Sequence, residues 1–218
     1  MNYFAHGREH IDSPYFLAGT AVPDWLNVVN RKAKARERLA AEFVDHEDPQ
    51  VAAVARGIVQ HHQDDAWFHA ARAFSDLSME FTITIRDLLP RDDGFRPSFL
   101  GHILVELLLD AALIEDDPPH LDRYYAAMES FDAQFVGAAV NRMVTRPVDG
   151  LSSFIPKFTR SRFLCDYLDN DSLLRRVNNV MDRVKLPQLP TGFVEFFPAA
   201  RSRVKDRKTE LLTYRGAS

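Results

Sequence analysis

The chain has 218 residues, 46% hydrophobic and 27% charged, which suits a soluble globular protein long enough to bury a sizeable core. Its net charge of −4 gives no general reason to expect nucleic-acid binding, and its single cysteine, Cys165, excludes an intramolecular disulfide and a cysteine-built zinc site within one chain. No basic segment followed by an apolar run opens the sequence, so no secretory leader is expected and a cytoplasmic location is the default. Glycines number only nine, β-branched alternation is scarce, and a 3.6-residue periodicity recurs between proline-marked breaks. The pattern predicts an all-α chain with helices near 14–28, 31–45, 50–73, 75–89, 97–115, 119–144, 150–167, 170–184 and 191–213. Breaks are expected at Asp48-Pro49, Pro90 to Gly94, Asp116 to Pro119, Pro147 to Gly150 and Pro187 to Pro190. FTITI at 81–85 is strand-like in composition, but its neighbours favour a helix rich in β-branched residues. RSRVKDRKTELL reads as a charged, solvated last helix. A single helical domain over 1–218 is expected, its metal-site core in about 1–115 and its C-terminal helices in about 119–213.

The run Phe99–Ile114 is apolar except at His102, Glu106 and Asp110. That i, i+4, i+8 spacing places the three side chains on one helical stripe. A buried helix carries ionisable groups only when they are paired or bind a metal, and all three are metal-ligand types with no Lys or Arg among them. The run is too short and too interrupted to be read as a membrane span. Taken alone, the stripe fits the solvent face of an otherwise buried helix equally well. A second stripe shifts the balance. Val51, Val54 and Ile58 step along one helical face, and the same line continues into His61, Asp65 and His69. Imidazole and carboxylate stand where the pattern calls for Leu or Val, and helical bundles build metal sites this way from facing helices.

Two further residues precede the stripes. His6 follows a short apolar turn in MNYFAHG, and Asp24 lies between Pro23 and Trp25. Each alone reads as structural, a surface imidazole and a helix cap. His62 lies about 100° around the helix from His61 and reads as a packing or exposed imidazole, while Asp64 reads as solvated or paired with a basic neighbour. Arg8, Arg56 and Arg72 lie near these residues in sequence and could meet a phosphate, although a solvated helix face accounts for each. The tract RKAKARER at 31–38 reads as a basic, solvated helix face, and Trp25, Trp67, Phe68 and Phe81 read as core.

Taken in order, MNYFAH, LAGTAVPDW, GIVQHHQDD and GHILVELLLD resemble the bacterial acyl-carrier-protein phosphodiesterases, an all-helical, HD-like family of metal-dependent phosphohydrolases. Members open with a phrase like MNFLAH, continue with G-N-L-hydrophobic-x-D-F and G-I-x-x-H-x-x-I-D, and later carry D-x-x-x-D. By position the resemblance aligns His6 with the N-terminal His, Asp24 with the first Asp, His61 and Asp65 with the H-x-x-x-D pair, and Glu106 and Asp110 with the late acidic pair. FLCDYLDNDSLLRRVNNVMDRV is similar to a C-terminal segment of the family, so the resemblance covers most of the chain. Glu106 stands where Asp is usual, His69 where an acidic residue is usual, and His102 adds a nitrogen ligand type that the pattern does not require. The resemblance implies an HD-like multi-helix bundle and a phosphodiester substrate on a phosphopantetheinylated acyl carrier protein. It also implies that the basic tract at 31–38 docks that acidic carrier by electrostatic steering.

Mixed His and carboxylate ligands without sulfur suit Mn²⁺, Fe²⁺ or Zn²⁺, with Mn²⁺ favoured here and Mg²⁺ less suited as the His count rises. Eight ligand-type groups exceed the needs of one ion, so either two metals bind or some groups orient the ligands and shuttle protons. The expectation is that His6, Asp24, His61, Asp65 and Asp110 lie at the metal, with Glu106, His69 and His102 as further ligands or acid/base groups. Asp65, His102 and Glu106 are the candidate catalytic residues. Hydrolysis of a phosphoester by metal-activated water needs no side-chain nucleophile, which fits a chain with no nucleophile elbow. Two other readings stay open. One is a di-metal oxidase or oxygenase in a helical bundle, against which the lack of Glu-x-x-His at the stripes counts. The other is a non-enzymatic helical protein with buried polar stripes.

Overall fold

The computed structural model describes residues 1–89 and 94–213, and every regular element among them is helical. In chain order these are α1 (Tyr3–Gly7), α2 (Pro14–Val29), α3 (Glu37–Ala41), α4 (Pro49–Ala70), α5 (Arg72–Leu88), α6 (Pro97–Asp116), α7 (Pro118–Glu129), α8 (Ala133–Asn141), α9 (Leu151–Ser161), α10 (Asn170–Arg183), α11 (Phe197–Asp206) and α12 (Lys208–Leu212). Short 3₁₀ turns at Arg8–His10, Phe163–Leu168 and Thr191–Phe196 link them. The all-α prediction holds. The expected break at Pro90 to Gly94 lies, for residues 90–93, outside the described residues.

Proline and aspartate set many of the starts. Pro14, Pro49, Pro97 and Pro118 each open a helix, where the missing N–H is not needed and φ is already helical. Asp117 accepts from the backbone N–H of His120, Asp132 from Gln134 and Asp169 from Ser172. The Asp132 cap also splits the helix expected over 119–144 into α7 and α8. Inside α5 the hydroxyls of Thr82 and Thr84 donate to the carbonyls of Ser78 and Glu80, so FTITI is accommodated as helix.

Contacts group the chain into two compact units, each assembled from separated segments. The first comprises Met1, Tyr3–Ala66 and Asp117–Arg162, and the second comprises Asn2, Trp67–Asp116 and Phe163–Ser218. In the first, α2 meets α4 at a glycine pair. A Cβ on Gly57 would lie 2.1 Å from the Phe16 carbonyl oxygen and 2.8 Å from the Gly19 Cα, and a Cβ on Gly19 would lie 2.3 Å from the Val54 carbonyl oxygen. Backbone touches backbone there, which only glycine permits. Trp25, Leu17, Val54, Ile58 and Tyr124 are fully buried around this unit's core.

The helix predicted over 31–45 is corrected to the short α3. Residues 31–36 run without helix, because the Thr145 amide donates to the Lys34 carbonyl and the Lys34 amide to the Thr145 hydroxyl. Ala33 and Ala35 are buried while Lys32, Lys34 and Arg36 are exposed, the period-2 alternation of an extended strap.

In the second unit α6 is the central helix, with α5 and α11 against it. Its 20 residues are apolar enough to cross a membrane by length and composition alone, so shortness does not exclude a span as the sequence suggested; 67% of the apolar window is buried within the protein. The tail is charged as predicted but is not a freely solvated helix. Arg203 makes two bonds to Glu80 at 2.7 and 2.8 Å, Arg207 reaches Asp76 at 3.1 Å, Lys205 pairs with Glu115 and Lys208 with Asp116. Val204 and Leu211 are buried beneath them.

Candidate metal centre

The ligand-type residues form two converging groups among the described residues. His6, His61 and Asp65 lie in the first unit, and His69, His102 and Glu106 in the second; in each group the ligand atoms lie within 4.8 Å of one another. Asp24 is in neither trio, but it lines a cleft of about 340 Å³ with His61, Asp65, Lys34 and Arg36. Asp110 is in neither group. It is fully buried and accepts a 2.8 Å hydrogen bond from the Asn2 side-chain amide.

In the first trio the two imidazoles stack, ring centroids 4.1 Å apart, and turn corresponding edges toward one carboxylate. His61 Nδ1 lies 2.8 Å from the Thr20 carbonyl oxygen. A carbonyl only accepts, so Nδ1 carries the proton and Nε2 presents a lone pair, 3.5 Å from Asp65 Oδ2. Burial and the neighbouring His6 push the His61 pKa well below its ordinary value, so the ring is neutral. An imidazole lone pair therefore faces a carboxylate oxygen, two acceptors with no proton between them.

His6 repeats the arrangement. Its Nδ1 is 3.1 Å from Asp64 Oδ2, and its buried Nε2 has no hydrogen-bond partner although Asp65 Oδ1 lies 3.3 Å away, because that approach is not aligned as a hydrogen bond. Burial opposes charging His6, yet the carboxylates of Asp64 and Asp65 outweigh it and raise its pKa. Asp65 is itself partly buried, which favours its neutral form. The His6 contact, the Met1 α-amino group at 2.6 Å and His61 together hold its pKa far below the carboxylate range. It stays anionic at neutral pH, which suits a ligand.

Asp64, which the sequence suggested was solvated or paired with a basic side chain, is buried. It orients His6 and accepts from Gln60 at 2.7 Å, in the manner of an outer carboxylate behind a metal-binding histidine. Replacing Asp64 with Ala is expected to lower any divalent-cation affinity of the trio about 10- to 100-fold with helical content unchanged. Calorimetric titration checks it, and unaltered affinity would remove Asp64 from the site.

The arginines nearest the ligands in sequence do not line this cleft. Arg8 pairs with Glu9 at 3.0 Å, and Arg72 is almost fully exposed beside Asp76. Lys34 and Arg36 line the cleft instead, carried there by the extended strap. His62 Nε2 donates to the Ala35 carbonyl oxygen at 2.7 Å and fastens the strap. The donors thus fit a divalent cation: the His61 Nε2 lone pair, a His6 Nε2 that binds once its proton leaves while Asp64 holds Nδ1, one committed carboxylate, and a positively charged rim. A larger groove of about 530 Å³ in the second unit is lined by Phe81, Leu89, Phe193 and Phe196, and the charges of Glu80 and Arg203 at its edge neutralise each other.

The chain matches no protein-family model, no curated protein and no solved structure.

Proposed function

We propose that this protein is a metal-dependent phosphohydrolase whose cation, Mn²⁺ by preference, is held by His6, His61 and Asp65. The observation that supports this reading is the unprotonated pair at His61 Nε2 and Asp65 Oδ2, which a cation between them would satisfy. A bound divalent ion supplies Lewis acidity at a phosphoryl oxygen and lowers the pKa of a water toward neutrality. The chain's own groups do the rest. Lys34 and Arg36 attract and orient the anionic phosphoryl group at the cleft mouth, and Asp24 adds a second carboxylate to the same wall. No side-chain nucleophile is required. The resemblance to acyl-carrier-protein phosphodiesterases supports a phosphopantetheinylated carrier protein as the substrate class. The exposed Arg31, Lys32, Lys34 and Arg36 offer an acidic partner a complementary strap.

The test is elemental analysis, Mn²⁺-dependent thermal shift and hydrolysis of bis(p-nitrophenyl) phosphate, each on the wild type and on His61→Ala. His61→Ala is expected to lose one equivalent of metal, part of the Mn²⁺-dependent stabilisation and all Mn²⁺-dependent hydrolysis. Equal metal content and equal hydrolysis in the two proteins would overturn the reading.

A further inference from the structure

We infer that His69, His102 and Glu106 form a second divalent-cation site, sharing no ligand with the first. This does not rest on the phosphohydrolase reading. His69 comes from the last turn of α4, while His102 and Glu106 stand one turn apart on α6. His69 Nε2 lies 2.9 Å and His102 Nε2 3.3 Å from the same carboxylate oxygen, Glu106 Oε1. Two imidazoles and one carboxylate thus converge on one point from two helices, a donor set that holds a first-row divalent ion on one face and leaves its remaining positions open.

The surroundings fix the donors. Phe74 stands edge-on to both imidazoles at 4.8 Å, and the two rings lie 4.8 Å apart. Glu106 is largely buried, its side chain 18% exposed, so its carboxylate is held in place beneath the two rings. The side chains of His69 and His102 are 34% and 44% exposed, so an ion reaches the group without the helices parting. An imidazole with its proton on Nδ1 presents Nε2 as the ligand, and it is Nε2 of each ring that faces Glu106. Two nitrogens in a set of three favour Fe²⁺, Co²⁺ or Zn²⁺ over Mg²⁺.

Co²⁺ is the probe, followed by its visible absorption and by bound stoichiometry in the wild type, His61→Ala, His102→Ala and Glu106→Gln. Two equivalents are expected in the wild type and one in each variant. The variants at 102 and 106 should lose a different absorption component from the variant at 61. His102 is half-exposed and Glu106→Gln keeps the side-chain volume, so both are expected to retain wild-type circular dichroism. If these two variants bind as much Co²⁺ as the wild type, the second site does not exist. A single wild-type equivalent lost in His102→Ala but kept in His61→Ala would uphold this site and sink the first.

Discussion

Gly57→Ala is expected to destabilise the protein by about 3 kcal/mol, near the upper end of overpacking costs, because the new methyl meets backbone on the opposite helix. Its Cβ would fall 2.1 Å from the Phe16 carbonyl oxygen and 2.8 Å from the Gly19 Cα, and neither can rotate away as a side chain would. The helices must separate, which carries Thr20 away from His61. The Thr20 carbonyl fixes the His61 tautomer through the 2.8 Å contact to Nδ1, so metal affinity should fall about tenfold or more with the stability. Thermal denaturation should show a midpoint lower by about 6–12 °C. Gly192→Ala is the control, since nothing lies within 4 Å of a Cβ there, and it should change stability by less than about 0.5 kcal/mol. If Gly57→Ala behaves like Gly192→Ala, the two helices are not held at contact distance by their glycines.

The parts of the fold that were legible in the sequence are those with two local signals in agreement. For α2 and α6, apolar periodicity meets a proline at the first helical position, and both match their expected spans closely. The misread segments carried competing signals. RKAKARER has strong helix formers, and propensity pointed to a helix; the alternation of buried Ala33 and Ala35 with exposed Lys34 and Arg36 pointed to an extended strap, and pairing with Thr145 decided it. At 130–132 the apolar pattern runs on through Phe131, so the Asp132 cap was the only notice of a break. For the tail, charge implied solvation, but ion pairs to Glu80, Asp76 and Glu115 come from residues more than ninety positions earlier for the first two and dozens earlier for the third, beyond the reach of any local pattern.

The candidate site divides along the same line. His61 with Asp65 and His102 with Glu106 are i, i+4 pairs on apolar helices, and periodicity alone singles them out. That the eight ligand-type residues fall into two trios, with Asp24 and Asp110 in neither, depends on tertiary packing and has no local signature. Asp64 lies a quarter turn off the stripe, where a carboxylate reads as solvated or paired with a basic neighbour. Its role follows from the arrival of His6 from α1. The Thr20 carbonyl is a backbone group, which residue identity does not distinguish.

The second large effect is expected at Trp25. It is fully buried, its ring stands edge-on to Phe158 at 5.4 Å, and Phe158 in turn packs on Tyr3 at 4.9 Å. Tyr3 opens the short α1 that carries His6, so the indole supports the candidate metal centre through two aromatic neighbours. Trp25→Ala removes the largest fully buried side chain of this unit and should cost about 3–5 kcal/mol. Trp25→Phe separates packing from polarity. The indole N–H is buried without a hydrogen-bond partner, so removing it relieves an unsatisfied donor while the ring fills most of the volume. Trp25→Phe should therefore lose less than about half as much stability as Trp25→Ala. Denaturant unfolding with calorimetric Mn²⁺ titration on both variants reads the two consequences together. Trp25→Ala should weaken the ion along with the fold, because α1 loses its backing and His6 Nε2 drifts from Asp65. Trp25→Phe should leave affinity near wild type. Equal losses in the two variants would mean that the indole N–H matters more than the volume, and would contradict the packing route from Trp25 to His6.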